Sequence, residues 1–251
     1  MLTRQRKKAI LDALRRDGQV VAKTLSEQFD VSEDTIRRDL RELAAEGHLQ
    51  RVHGGALPAS PAVASFARRE DMEPAAKQAI AQAAAAMIED GQIVIIDGGT
   101  TSARLVSCLP ETLSATIVTH SPSVAVALAE HPRIEVILIG GRLYKHSIVT
   151  VGAAAVEAMS HIHADLYFMG VTGVHPEAGL STGDLEEAYI KRALAARAAE
   201  TVVLASAAKL NAASSYAIGP LTLAQTIIVE RATPDESIKP IEQAGVTVVR
   251  A

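Results

Sequence analysis

Between residues 25 and 43 the apolar side chains keep helical spacing in two short runs, and a turn separates them. Leu25 and Phe29 sit four residues apart, and Ile36, Leu40 and Leu43 follow at the same period. The interruption is Asp30-Val31-Ser32, which places Ser32 to cap a second helix and puts Glu33 and Asp34 in its first turn, where acids complement the helix dipole. Two short amphipathic helices joined this tightly form a helix-turn-helix. Steps of 100° per residue from Ile36 put Asp34, Arg38, Arg41 and Ala45 opposite the core, with Thr35 and Arg37 on the flanks. An arginine fork can bond guanine bidentately or clamp a phosphate, and keeps its charge at every relevant pH. The competing reading is a solvated helix face on which Asp34 or Glu42, each four residues from Arg38, forms a weak surface pair with it. Context favours DNA: an upstream helix carries Ile10, Ala13 and Leu14 on one face, and Leu49-Gln50-Arg51-Val52 runs into His53-Gly54-Gly55. Those last residues read as a hairpin strand and turn, a wing that would lay Arg51 and His53 against the DNA backbone.

The chain has 251 residues, 48% of them hydrophobic, enough for a sizeable core plus one small domain. Domains at 1–57 and 73–251 are expected, joined by a linker at 58–72 that begins with the proline-bearing, uncharged stretch from Pro58 to Ser65. Net charge alone does not point to nucleic acid: residues 1–57 hold 11 lysines and arginines against nine acids, and the remainder 14 against 20. The argument rests on arginines sharing a face. A charged amino terminus and the lack of any membrane-length apolar stretch predict a cytoplasmic protein with no membrane partner. The single cysteine, Cys108, gives no metal pattern, and His161 and His163 lack a third ligand, so neither metal nor cofactor is expected.

After an alanine-rich helical stretch near 74–88, β-branched runs alternate with helical patterns, at 93–96, 115–118, 136–139, 166–169, 202–204, 227–229 and 246–249. That alternation predicts an α/β, doubly wound, mostly parallel sheet covered on both faces. Ligands of such sheets bind beyond the carboxyl ends of the strands. The first run ends in Asp97-Gly98-Gly99-Thr100-Thr101, the second in Thr119-His120-Ser121, the third in Gly140-Gly141-Arg142 and the fourth in Gly170-Val171-Thr172-Gly173. Glycines let backbone approach an anion, and hydroxyls and amides at a helix start donate to phosphate oxygens. Together these ends describe an anion pocket, although each taken singly is an ordinary tight turn. Farther on, Asp184, Glu187, Ala188 and Lys191 fall on one helical stripe. Either Glu187 and Lys191 form a surface pair, or the stripe is a pocket rim in which carboxylates accept from sugar hydroxyls and lysine meets phosphate. Lys209, past the strand at 202–204, is a second cation of that kind.

Residues 4–57, above all Val31-Ser32, Thr35-Ile36-Arg37-Arg38-Asp39-Leu40, Gly47 and Arg51-Val52-His53-Gly54-Gly55-Ala56, resemble the winged helix-turn-helix of the DeoR family of bacterial transcriptional regulators. Residues 69–231, through Lys77, Asp97-Gly98-Gly99-Thr100-Thr101, Val118-Thr119-His120-Ser121, Gly140-Gly141, Asp165, Gly170, Gly173, Asp184, Glu187-Ala188, Lys191 and Lys209, resemble the same family's effector domain. That domain is itself similar to sugar-phosphate isomerases. The resemblance implies a homo-oligomeric repressor, dimer or tetramer, of carbohydrate genes on double-stranded operator DNA, controlled by a phosphorylated sugar. Many relatives carry Asp-Ser-Ser-Lys-Phe-Gly where this chain has Ser206-Ala207-Ala208-Lys209-Leu210-Asn211, which keeps the lysine and lacks the acid. The alternative function is an isomerase-like enzyme in which Asp184, Glu187, Lys191 and Lys209 move protons beside a carbonyl; a DNA-binding protein with a purely structural second domain is a third.

Overall fold

Ser32 caps the second helix, as its position demands. Its hydroxyl accepts from the Thr35 amide at 3.3 Å, while Asp30 turns the chain out of the preceding helix with a left-handed φ of 51°. The computed structural model describes residues 2–60 and 66–251. Its amino-terminal part runs α1 (Thr3–Asp17), β1 (Val20–Val21), α2 (Ala22–Phe29), α3 (Glu33–Ala45), β2 (Leu49–Val52) and β3 (Gly55–Pro58). Ile10, Leu14, Leu25, Ile36, Leu40 and Leu43 form its core, none more than 3% exposed. Strands β2 and β3 pair antiparallel through Arg51↔Ala56, and β1 adds a third strand on the far side of β3. Under the core lies an ion pair that helical periodicity does not reveal: Arg6 of α1 grips Asp39 of α3 with Nε and Nη2, and the residues are 4% and 0% exposed.

Of the expected linker at 58–72, residues 61–65 lie outside the described residues. On one side Pro58 ends β3 and Ala59 bridges to Ala213; on the other the chain is already helical, as α4 (Phe66–Glu70). Then follow α5 (Pro74–Ala85), β4 (Ile93–Ile96), α6 (Thr100–Ser107), β5 (Thr116–Thr119), α7 (Pro122–Leu128) and β6 (Glu135–Leu138). A hairpin of β7 (Arg142–Tyr144) and β8 (Val149–Val151) leads to α8 (Ala153–Met159), β9 (Ala164–Gly170), β10 (Gly173–His175), β11 (Gly179–Thr182) and α9 (Leu185–Ala195). The chain closes with β12 (Ala198–Leu204), β13 (Tyr216–Gly219), β14 (Thr226–Val229), α10 (Asp235–Gln243) and β15 (Thr247–Arg250).

Seven strands form one sheet in the order β15-β14-β12-β9-β4-β5-β6, with every neighbouring pair parallel. All seven correspond to the apolar runs, with ends shifted by at most four residues and β4 unshifted. Side chains alternate between two cores. Val94, Ile96, Phe168 and Val202 pack with α5, α6 and α7, while Ile95, Tyr167, Met169 and Val203 pack with α8, α9 and α10. That period of two with both faces covered is why the runs look uniformly apolar. Winding proceeds from β4 through β5 to β6 on one side, then returns to β9 on the other, so the topological switch lies between β4 and β9. The antiparallel sheet β10-β11-β13 stands apart from this frame. The segment before β13 touches the amino-terminal half: the Ala213 amide donates to the Pro58 carbonyl at 3.4 Å, and the Ser215 hydroxyl to Gln50 Oε1 at 3.4 Å.

Candidate functional site

Helix α3 presents the face that its periodicity predicts. Ile36, Asp39, Leu40 and Leu43 are buried, while Asp34, Arg37, Arg38 and Arg41 are exposed. The acids that could have neutralised Arg38 are engaged elsewhere. Glu33 and Asp34 reach Arg37 at 2.7 and 3.7 Å, and Glu42 reaches Lys7 at 3.0 Å, leaving Arg38 and Arg41 without an ion pair among the described residues. Ser32 and Thr35 share a hydroxyl contact of 3.0 Å at the start of the helix. Arg51 is exposed on β2, and His53 at the wing tip lines a cleft whose other wall includes His175 and Glu177. No helix among the described residues is long and apolar enough to cross a membrane.

A second site opens at the switch point. About 690 Å³ of space, part of it open to solvent, lies among the ends of β4, β9 and β12, the start of α6, and the α4–α5 segment. Of the sequence-predicted residues, Gly98, Gly99, Thr100, Thr101, Gly170, Thr172, Glu187, Lys191 and Lys209 line it. Gly99 precedes α6 with φ of 119°, a conformation side chains rarely adopt, and the first residues of the helix, whose amides have no partner within it, line the cavity. Gly98 has no room for a Cβ, which would stand 2.2 Å from Val149 Cγ1.

Asp97 sits beneath the pocket wall with no exposure and holds the site together. Oδ1 accepts from the Gly98 amide and from His120 Nε2, both at 2.7 Å; Oδ2 accepts from the Gly170 amide at 2.9 Å, from the Tyr167 hydroxyl at 3.4 Å and from Lys191. Burial alone would raise its pKa, but the Lys191 charge and the His120 hydrogen bond outweigh that and hold the carboxyl well below the usual carboxylate range. Lys191 therefore pairs with Asp97 across the sheet and not with Glu187, which instead accepts from Thr182 Oγ1 at 3.0 Å.

The other predicted residues are not on the pocket wall. Thr119 donates to the Ile96 carbonyl, His120 spans Asp97 and the Thr150 carbonyl, and Ser121 contacts Ser123 and the Ile148 carbonyl. Asp184 caps α9 through the Glu187 amide, Gly141 packs against the Val151 carbonyl, and Arg142 is exposed at the start of β7. In their place the structure brings in Arg69, Met72, Glu73 and Lys77 from the segment before the sheet, with Ser102, Ser147, Thr182 and Ser206. Lys77 donates to the carbonyls of Arg69 and Met72, and burial pushes its pKa down. Arg69 gives Nη2 to the His146 carbonyl at 3.1 Å and leaves Nε buried with no hydrogen-bond partner. The Lys209 ammonium meets no partner among the described residues, and burial together with the charges of Arg69, Lys77 and Lys191 lowers its pKa to about 8. Among the described residues four cations and two carboxylates, Glu73 and Glu187, thus line the space, and of the four Lys191 is already paired with Asp97 beneath the wall.

A winged helix-turn-helix with an unneutralised arginine face, joined to an α/β domain with a cationic pocket at its switch point, defines a DNA-binding regulator with a second, pocket-bearing domain. Family models agree with both halves: residues 6–61 match the DeoR-like helix-turn-helix domain, and residues 72–231 the DeoR C terminal sensor domain. The chain belongs to the DeoR family of transcriptional regulators. It is 34% identical to the HTH-type transcriptional regulator GlpR of Haloferax volcanii, over 99% of this chain and 98% of that one. Identity to the putative aga operon transcriptional repressor of Escherichia coli O157:H7 is 32%, over 98% and 93%. With the glycerol-3-phosphate regulon repressor of Escherichia coli K12 it is 29%, over 92% of each. Among solved structures, ribose 5-phosphate isomerase A of Methanocaldococcus jannaschii overlaps 53% of this chain and 52% of that one, with 18% identity and a TM-score of 0.39. The named relatives are regulators and repressors, and the protein acts as a DNA-binding regulator, not as an enzyme.

Proposed function

We propose that the protein is a cytoplasmic, homo-oligomeric repressor of carbohydrate genes, released from its operator by a phosphorylated sugar bound at the switch-point pocket. One observation carries the effector half of this reading: an excess of cations, with Lys209 unpartnered and Arg69 Nε unsatisfied, beside the open amides of α6. The buried Arg69 Nε, left without an acceptor, costs about 1–3 kcal/mol, and a dianionic phosphate would remove that cost. The hydroxyls of Thr100, Thr101, Ser147 and Thr172, with Glu73 and Glu187, suit the polyol end of such a ligand. One relative is named for the glycerol-3-phosphate regulon, a phosphorylated polyol, and this supports that class of effector.

Coupling to DNA runs through residues 206–215. Ser206, Ala208 and Lys209 face the pocket, and Leu210 bridges to Val174. Thr172, itself a pocket residue, donates to Ser214 Oγ at 2.7 Å, and the adjoining Ala213 and Ser215 meet Pro58 and Gln50 of the wing strands. Ligand that reseats Lys209 or Thr172 shifts this strap against the wing. A coupling of about 1–3 kcal/mol would change operator affinity roughly 5–150-fold. Fluorescence anisotropy of the protein on its own upstream DNA, against scrambled DNA, with and without a pool of sugar phosphates, tests the reading. Specific binding weakened by the pool supports it; binding that ignores a ligand shown calorimetrically to occupy the pocket refutes the coupling.

A further inference from the structure

Glu73 departs from what its position asks of it. It stands immediately before α5, where a short polar side chain would cap the helix, yet it makes no cap bond and holds a left-handed backbone, with φ of 49° and ψ of 50°. That conformation is unfavourable for a residue with a long side chain. Its carboxylate is turned instead to the pocket, where Oε2 accepts from Ser206 Oγ at 2.7 Å. Four cations border the same space, but Glu73 forms no ion pair with any of them among the described residues, which leaves Oε1 open. An ionised carboxylate only accepts hydrogen bonds. It would repel a phosphate, so the part of a ligand that it meets must be a donor.

We infer that Glu73 is the specificity-determining residue of the pocket, reading a hydroxyl on the polyol end of a phosphorylated ligand, with Ser206 as its positioning residue. This rests on the proposed phosphate reading of the site and adds to it a discrimination between organic phosphates and the bare anion. Lys209 and the α6 amides take the phosphate, which any phosphorylated molecule provides. Glu73, reaching in from the α4–α5 segment beside Ser206, accepts from a hydroxyl that inorganic phosphate cannot place there. The carboxylate that position 206 lacks thereby enters from a residue 133 positions away, across the Ser206 hydrogen bond.

The test is calorimetric titration of the full chain with inorganic phosphate, glycerol 3-phosphate and the 6-phosphates of sorbitol, glucose and fructose, for the wild type, Glu73→Gln, Ser206→Ala, Ser206→Thr and Lys209→Met. At least one organic phosphate is expected to bind the wild type more tightly than inorganic phosphate. Loss of one hydrogen bond to a charged group predicts that Glu73→Gln weakens that ligand about ten- to a hundredfold, while inorganic phosphate is held as well or slightly more tightly. Ser206→Ala gives a smaller loss confined to the organic ligand, and Ser206→Thr restores it. Equal weakening of both ligands by Glu73→Gln, no change in either, or no organic phosphate preferred over inorganic phosphate overturns the inference while leaving the phosphate site standing. If inorganic phosphate fails to bind the wild type, or binds Lys209→Met equally well, the phosphate reading itself falls and takes the role of Glu73 with it. Glu73 is exposed and makes no backbone bond with its side chain, so Glu73→Gln leaves the circular dichroism spectrum unchanged.

Discussion

Replacing Asp39 by Asn separates the residues that build the DNA-binding half from those that read DNA. In the wild type Arg6 and Asp39 are sealed beneath the three-helix core and joined by two hydrogen bonds from the guanidinium. The Asp39 hydrogen bond is the main influence holding the Arg6 pKa above its usual value, against the opposing effect of burial. Asn keeps the shape and removes the counter-charge, so a buried guanidinium loses its carboxylate. Breaking a buried pair from one side costs about 3–5 kcal/mol, comparable to the whole stability of a domain this small. Urea unfolding of the full chain, followed by circular dichroism because the sequence has no tryptophan, is expected to show the amino-terminal transition shifted to very low urea or lost, with the sheet domain unmoved. Operator binding disappears along with it. Arg6→Met combined with Asp39→Leu removes both charges and recovers most of the stability, since apolar replacement of a whole buried pair is neutral or better. Arg38→Ala gives the opposite pattern, with unfolding within about 0.5 kcal/mol of wild type and operator binding lost. An Asp39→Asn head that unfolds within 1 kcal/mol of wild type, a margin well below the expected cost, would refute the reasoning.

The second domain makes three further predictions. Because the folded-state pKa of Lys209 is lowered to about 8, its ammonium deprotonates near that pH in the free protein, so phosphate affinity falls as pH rises above about 8 and Lys209→Arg abolishes that limb in calorimetry. Asp97 has a depressed folded pKa; its stabilising contribution is present above the unfolded value of roughly 3.9 and is lost only as pH falls toward the lower folded one. Asp97→Asn, which strips the counter-charge from buried Lys191, should destabilise this domain at neutral pH by about 3–5 kcal/mol, read as a lowered unfolding midpoint. Gly98→Ala drives a methyl against Val149 and should cost about 1–3 kcal/mol and abolish ligand titration; unaltered binding would mean that the α6 loop is not a fixed wall.

What the sequence displays depends on whether the signal is local. Helix α3, the wing and all seven parallel strands are legible because each announces itself within a few residues, by a cap, a period of 3.6 or a β-branched run. The β7–β8 hairpin and the β10-β11-β13 sheet have strands of only three or four residues, and of these β8 alone sits in a β-branched run, Ile148-Val149-Thr150-Val151. Asp97, Lys191 and Lys209 can be singled out as strand-end or helix-stripe groups, but which strand ends share a pocket depends on strand order. Once β9 lies beside β4, the ends of β5 and β6 stand outside the pocket wall with Thr119, Ser121, Gly141 and Arg142, while His120 reaches the site only through Asp97. Arg69 and Glu73 are hidden for the converse reason, and Lys77, marked by the family resemblance, carries no sign of its place at the pocket. They precede the first strand of the sheet, in a charged segment whose local pattern resembles a connector, and only the packing of α5 against the sheet brings them to the mouth of the pocket.

Pairing of charge, more than its amount, distinguishes structure from function in this chain. Arg6 with Asp39, and Lys191 with Asp97, are cations buried against carboxylates that also accept other donors or lie in sealed cores. Such groups cannot bind a ligand without first breaking a bond that the fold needs. Arg38 and Arg41 on α3, and Lys209 with Arg69 Nε in the pocket, are the cations that neighbouring acids could have neutralised and do not. On α3 the available acids are drawn to Arg37 and Lys7; in the pocket Glu73 is held by Ser206 and Glu187 by Thr182. The same device recurs at both ends of the molecule, a hydroxyl or a second cation occupying the acid so that the first cation remains available to a phosphate. It follows that releasing the acids of α3 should act at a distance from their own pair: Arg37→Ala frees Asp34 toward Arg38, four residues on, and should weaken operator binding further by neutralising a cation that the acid does not pair with in the wild type.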